Sequence, residues 1–145
     1  MNREIKFRFW NKIARKYQLP KKYAISGNGG LLGYDYETHS WDDPVDFDRT
    51  IIVAQQYTGL KDKNGLDIYE GDIVREAGSG ARVMLREYEG QVKYTAGEVR
   101  WFRGAFCVCQ KEIGRINISD FVDCDCHPCG LEIIGNILES PELLK

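Results

Sequence analysis

At 145 residues, with 43% hydrophobic and 29% charged side chains, the chain has the make-up of one ordinary globular domain, or of one domain with a substantial subdomain. Twenty basic against 22 acidic groups give a net charge of −2, which excludes a chain that is basic throughout, the usual mark of a dedicated nucleic-acid binder. No apolar run approaches the roughly 20 residues that span a bilayer, and MNREIKFRFW lacks the apolar stretch of a signal peptide, so the expectation is a cytoplasmic protein that does not enter membranes.

Residues 3–10 alternate, with Ile5, Phe7 and Phe9 on one face and Lys6, Arg8 and Trp10 on the other, which predicts a half-buried strand. Lys12 to Lys22 is basic and reads as a short turn or helix ended by Pro20. Charge is uneven here: residues 1–25 carry a local +7 and residues 34–48 a local −6. Adjacent opposite blocks can dock within one chain or between two copies. Gly27 to Gly30 makes a turn, Leu31 to Trp41 is aromatic and strand-compatible, and Ile51 to Ala54 suits a buried strand. Asn64-Gly65 and Glu70-Gly71-Asp72 are turn signals, since Asn and Gly tolerate positive φ and Asp bonds neighbouring amides.

Ile73-Val74 starts another strand, and residues 78–97 read as a polar hairpin insertion. Glu98 to Phe102 and Ala105 to Gln110 are strands, the latter with Phe106 and Val108 opposite to Cys107 and Cys109. A helical turn over Asn117 to Asp125, a strand over Leu131 to Leu138 and a one-turn helix capped at Ser140-Pro141 complete the chain. The predicted architecture is mostly β with minor α. It comprises an N-terminal β-rich segment over 1–68 and, over 69–145, the five or so strands of a small SH3-like β-barrel.

Three blocks, REIKFRFW at 3–10, QYTGLKDKNGLDIYEGDIV at 56–74 and LEIIGNILESPELL at 131–144, resemble in order the blocks of the YopX-like proteins of bacteriophages and prophages. The resemblance implies a small cytoplasmic protein of phage origin in a bacterial host, an SH3-like barrel beginning near EGDIV, and a tendency to form homo-oligomers. It brings no catalytic set, for the family is one of unknown function. Residues 76–97 are longer and more polar than the family pattern, and the cysteine-rich stretch 124–129 lies outside it.

Candidate chemistry is sparse. Cys124, Cys126, His127 and Cys129 are soft ligands of the kind zinc takes, with Cys126-x-x-Cys129 at knuckle spacing, but no second knuckle follows; free thiols in a loop are the leading reading. The five cysteines, an odd number all in the last third, make a poor disulfide framework, and Cys107 and Cys109 stand two apart on a strand, at the far limit for a bridge. His39 reads as a surface residue and no nucleophile–base arrangement is visible. TGLKDKNG lacks the spacing of a phosphate loop, and Asn64, Gly65, Gly71 and Asp72 read as structural turn residues, not as sites.

Tyr34, Tyr36 and Trp41, set among acids, suit a protein-binding surface; Trp101, with Tyr94, Phe102, Arg100 and Arg103, suits either such a surface or base stacking. The expected function is a non-enzymatic, self-associating protein-binding module without a cofactor, whose partner is a host or phage protein. One alternative is nucleic-acid binding through the barrel face and the basic residues 1–25. The other is a small zinc-binding protein built on Cys124–Cys129.

Overall fold

The computed structural model describes residues 4–19, 21–42, 51–76, 96–110, 114–121 and 130–145. The chain is mostly β, with two single-turn 3-10 helices among the described residues, at Ile118–Phe121 and Pro141–Leu144. It divides into two compact units at Gln56/Tyr57. From sequence alone the change falls at 68/69. Ile68 is fully buried among Val74, Val99 and Leu131, and Leu60 packs on that cluster, which assigns the segment before residue 69 to the C-terminal unit.

In the N-terminal unit, β1 (Phe7–Asn11) pairs antiparallel with β2 (Lys16–Tyr17) and with the first half of β6 (Ile52–Lys61). Phe7 and Phe9 point to a core with Tyr23 and Ile52, while Ile5 precedes the strand and is exposed. On the opposite face Trp10 packs edge-on against Tyr17, and Gln55 accepts from Arg8 Nε at 2.8 Å and from the Tyr17 hydroxyl at 3.1 Å. The basic stretch after β1 is a turn, not a helix, for Asn11 Oδ1 accepts from Ala14 N at 2.7 Å and Arg15 takes φ 48°. A separate meander follows, β3 (Tyr23–Ile25), β4 (Leu31–Asp35) and β5 (Ser40–Asp42).

The C-terminal unit is built on a five-stranded antiparallel sheet in the order β11-β10-β9-β8-β12. Its strands are β8 (Asp72–Glu76), β9 (Gly97–Phe102), β10 (Ala105–Gln110), β11 (Gly114–Asn117) and β12 (Leu131–Asn136). The sheet curls into a half-barrel. Alternation sends Val74, Val99, Phe106, Val108 and Leu131 to one face, where Ile118 and Phe121 of the first 3-10 turn close over them. Each such burial is worth about 1.5–3 kcal/mol, so this layer carries most of the unit's stability. Gly97 allows the close approach of β9 to β10, since a Cβ there would meet Val108 Cγ1 at 2.6 Å and the Cys109 carbonyl at 3.1 Å. Most of the insertion read at 78–97 lies outside the described residues.

The hairpin of β6 and β7 (Asp67–Tyr69) explains the block at 56–74 residue by residue. Its register slips between Tyr57↔Tyr69 and Lys61↔Asp67, a bulge in which Thr58 Oγ1 donates to the Ile68 carbonyl at 2.9 Å. At the tip Gly65 N bonds the Asp62 carbonyl (2.9 Å), Gly65 turns left-handed at φ 82°, and Asp62 N bonds the Leu66 carbonyl (2.7 Å). That is a type I turn followed by a glycine bulge. Of the Asn64-Gly65 pair, Gly65 alone takes positive φ; Asn64 contributes its side chain, donating to Asp62 Oδ2 at 3.3 Å.

Asp62 is fully buried and accepts from the amides of Asn64 (2.8 Å), Leu66 (2.9 Å) and, across the chain, Ile133 (3.3 Å). With Lys63 N on the Leu131 carbonyl at 2.9 Å, it covers the edge of β12. The next turn repeats the device. Gly71, at φ 79°, donates to the Val99 carbonyl and accepts from Ile137 N, both at 2.8 Å. Buried Asp72 accepts from Tyr69 N at 2.8 Å and from Asn136 Nδ2 at 3.1 Å. The blocks at 56–74 and 131–144 are thus held together through the backbone.

Candidate binding surface

From sequence, Leu31 to Trp41 reads as one strand-compatible stretch; it is two strands around a tight reversal. Asp35 Oδ1 accepts from the amides of Glu37 (2.7 Å) and Thr38 (3.3 Å), an Asx turn, and His39 at φ 56° completes the bend. Those two N–H donors hold the Asp35 carboxyl below the usual carboxylate range, so the turn keeps its negative charge.

The reversal places Tyr34 directly opposite Trp41, with ring centroids 5.1 Å apart at 61°. Tyr36 meets the other side of the group, 5.0 Å from Tyr34 at 86°. Tyr36 is 62% exposed and Trp41 44%. Edge-to-face pairs add about 0.5–1.5 kcal/mol each, and aromatic side chains have few torsions to freeze. The result is a water-facing aromatic cluster beside an ionised carboxylate. Such a surface can bury rings in a protein partner and hold a cationic side chain against their faces.

Trp101 belongs to the C-terminal unit, 48% exposed, edge-on to Phe106 at 4.8 Å and 74°. Alternation also separates it from the residues grouped with it in sequence: Trp101 pairs with Phe106 on the core face, whereas Arg100 and Phe102 point to the other. Cys107 and Cys109 share that other face as free thiols, and burial pushes the Cys109 thiol up despite the pull of Arg100. Tyr94, Cys124, Cys126, His127 and Cys129 lie outside the described residues. Among the described residues no three His, Cys, Asp or Glu side chains gather as metal ligands, and no helix is long and apolar enough to cross a membrane.

The family model described as YopX protein matches residues 6–145. The chain belongs to the YopX family. Two solved structures are similar over nearly the whole length. Protein EF1440 from Enterococcus faecalis shares 25% identity at a TM-score of 0.61, covering 99% of this chain and all of that one (100%). Protein yopX from Bacillus subtilis shares 19% at 0.54, covering 96% and 95%, and speaks for the fold alone. Among curated proteins, none matches. Family membership brings a fold and assigns no reaction.

Two features of this YopX chain escape sequence reasoning. Asp62 is one of several acids in a polar run, and only the fold shows it buried. Arg115 sits in a strand too short and too near Gly114 to register, yet its guanidinium lies 3.9 Å over the Phe102 ring. The burial of Asp62 depends on the distant strand that Ile133 belongs to, and the placement of Arg115 on Phe102 of another strand, so neither is marked locally.

Proposed function

We propose that this YopX protein is a non-enzymatic, self-associating protein-binding module that acts through the β4–β5 hairpin, as a phage or prophage product in the cytoplasm of a bacterial host. The last part rests on the family resemblance and on cysteine usage. The binding part rests on one observation, the exposed cluster of Tyr34, Tyr36 and Trp41 with ionised Asp35 at its side. Rings this exposed gain from burial in an interface, where Tyr and Trp dominate binding energy.

The surface that fits it on a second copy is the basic stretch after β1. Lys12, Arg15, Lys16 and Lys21 are exposed, and among the described residues none pairs with a carboxylate. Docking that stretch on the acidic aromatic hairpin supplies cation–π and charge attraction together. Light scattering tests it: the mass at low salt is a multiple of the 16.6 kDa chain and falls as salt rises. The Tyr36→Ala/Trp41→Ala variant stays at chain mass throughout. A wild-type mass of one chain at every salt and concentration removes self-association, and an oligomer indifferent to salt removes its electrostatic half.

A further inference from the structure

The face of the C-terminal unit opposite its core carries a second arrangement, independent of the aromatic hairpin. On it stand Arg100 and Phe102 of β9, Cys107 and Cys109 of β10, and Arg115 of β11. By register Arg115 is level with Cys109, while Phe102 is level with Ala105 at the hairpin end. The Arg115 guanidinium nevertheless lies 3.9 Å from the Phe102 ring centroid, so its side chain runs along the sheet while staying exposed. Arg103 reaches the same ring from the turn, at 5.3 Å. Its backbone is left-handed at φ 48° ahead of Gly104 at 88°, the geometry of a type I′ turn in which Asn or Gly is the usual first residue. An arginine is held there at some conformational cost.

The three arginines share the same charge and differ in how they are paired. Arg100 is paired with Glu98 at 2.6 Å. Among the described residues neither Arg103 nor Arg115 meets a carboxylate, and their guanidiniums rest on a ring that takes no hydrogen bond from their N–H edges. Two planar cations, placed in advance and with donors unspent, complement an occupant that has both negative charge and flat groups to stack. Guanidinium planes stack on bases while their edges fork onto phosphate, and pre-placement removes part of the ordering cost. A phosphopeptide offers the charge without the repeated planar groups, and among the described residues this face has no exposed apolar wedge for a bilayer.

We propose that the Phe102–Arg103–Arg115 platform binds single-stranded nucleic acid, through phosphate contacts and base stacking without sequence preference. The whole chain, titrated into fluorescein-labelled oligo-dT and oligo-U at low salt and followed by anisotropy, binds both with a micromolar constant. Each phosphate contact contributes about −0.7 to the slope of log affinity against log salt, so Arg103→Ala and Arg115→Ala each flatten that slope by about 0.7. The double variant loses about tenfold or more in affinity. Arg115→Lys keeps the charge and the fold but not the planar stack, and weakens binding about threefold.

Lys61→Ala, in the same unit but paired with Asp67, leaves binding unchanged, as does Tyr36→Ala/Trp41→Ala, which separates this site from the hairpin reading. No binding at about 100 μM chain overturns the proposal. So does binding indifferent to the arginine substitutions, or a phosphopeptide, pyrophosphate or anionic vesicle that competes as well as the oligonucleotide. If the double alanine variant fails to fold by circular dichroism, Arg115→Lys decides alone, and wild-type affinity in it refutes the stack.

Discussion

The hairpin at 57–69 and the hairpin at 31–42 are both antiparallel pairs with tight reversals, and they treat their side chains in opposite ways. In the first, two polar residues turn inward: Asp62 is fully buried on three amides and Thr58 is turned to the Ile68 carbonyl. In the second, Asp35 closes the turn from outside and the aromatic rings face water. A dense run of polar residues can therefore be wholly structural, while elsewhere the fold leaves apolar groups uncovered. The contrast predicts that substitutions in the first hairpin cost stability and that those in the second cost association.

The largest effect belongs to Asp62→Ala. It strips a buried carboxylate from the Asn64 and Leu66 amides and leaves both donors unmet, a loss of about 2–4 kcal/mol. Urea unfolding monitored by tryptophan fluorescence should show the midpoint falling accordingly. A change below about 1 kcal/mol would mean that water satisfies those amides and that the carboxylate is not the clamp described. Gly71→Ala comes next. Its φ of 79° places any Cβ in the left-handed region, at about 1–2 kcal/mol, and both its bonds, to Val99 and Ile137, depend on that conformation. If Gly71→Ala unfolds at the wild-type urea concentration, the turn has another way to close.

On the other side of the comparison, Tyr36→Ala should lower stability by only about 0.5–1 kcal/mol, the worth of one exposed edge-to-face contact, while abolishing the salt-sensitive oligomer. A variant that unfolds early would make the ring a structural element and erase the distinction between the hairpins.

The mostly β character was legible because period-two alternation survives in β1, β9 and β10, where one face is buried and the other is not. Turns at Gly65 and Gly71 were legible for the same local reason, since positive φ leaves its mark on residue type. The β4–β5 reversal was harder to see. Its bend depends on an Asx turn at Asp35 and a left-handed His39, neither of which interrupts an aromatic run visibly. Leu60 and Ile68 look like any strand residues until the core they fill is known. Of the candidate surface, its residue types were legible and its grouping was not. Tyr34, Tyr36 and Trp41 assemble through cross-strand register, and the same register puts Trp101 and Phe102 on opposite faces.

The smallest expected effect sharpens the inward side of the contrast at its surface. Glu132 on β12 lies between Arg75 at 2.8 Å and Lys63 at 3.2 Å, and these cations hold its carboxyl below the usual range. A carboxyl depressed on folding adds stability above its unfolded value, about pH 4.3, and loses that stability as pH falls through the lower folded value. Glu132→Gln should therefore melt slightly below wild type at neutral pH. The gap should close as pH falls below the unfolded value and through the lower folded one, where the wild-type side chain takes up its proton as well. The site is open to solvent, so added salt should narrow the gap at neutral pH too. A gap that persists in acid strong enough to protonate the side chain would show that Glu132 acts through packing along the covered edge of β12 and not through its charge.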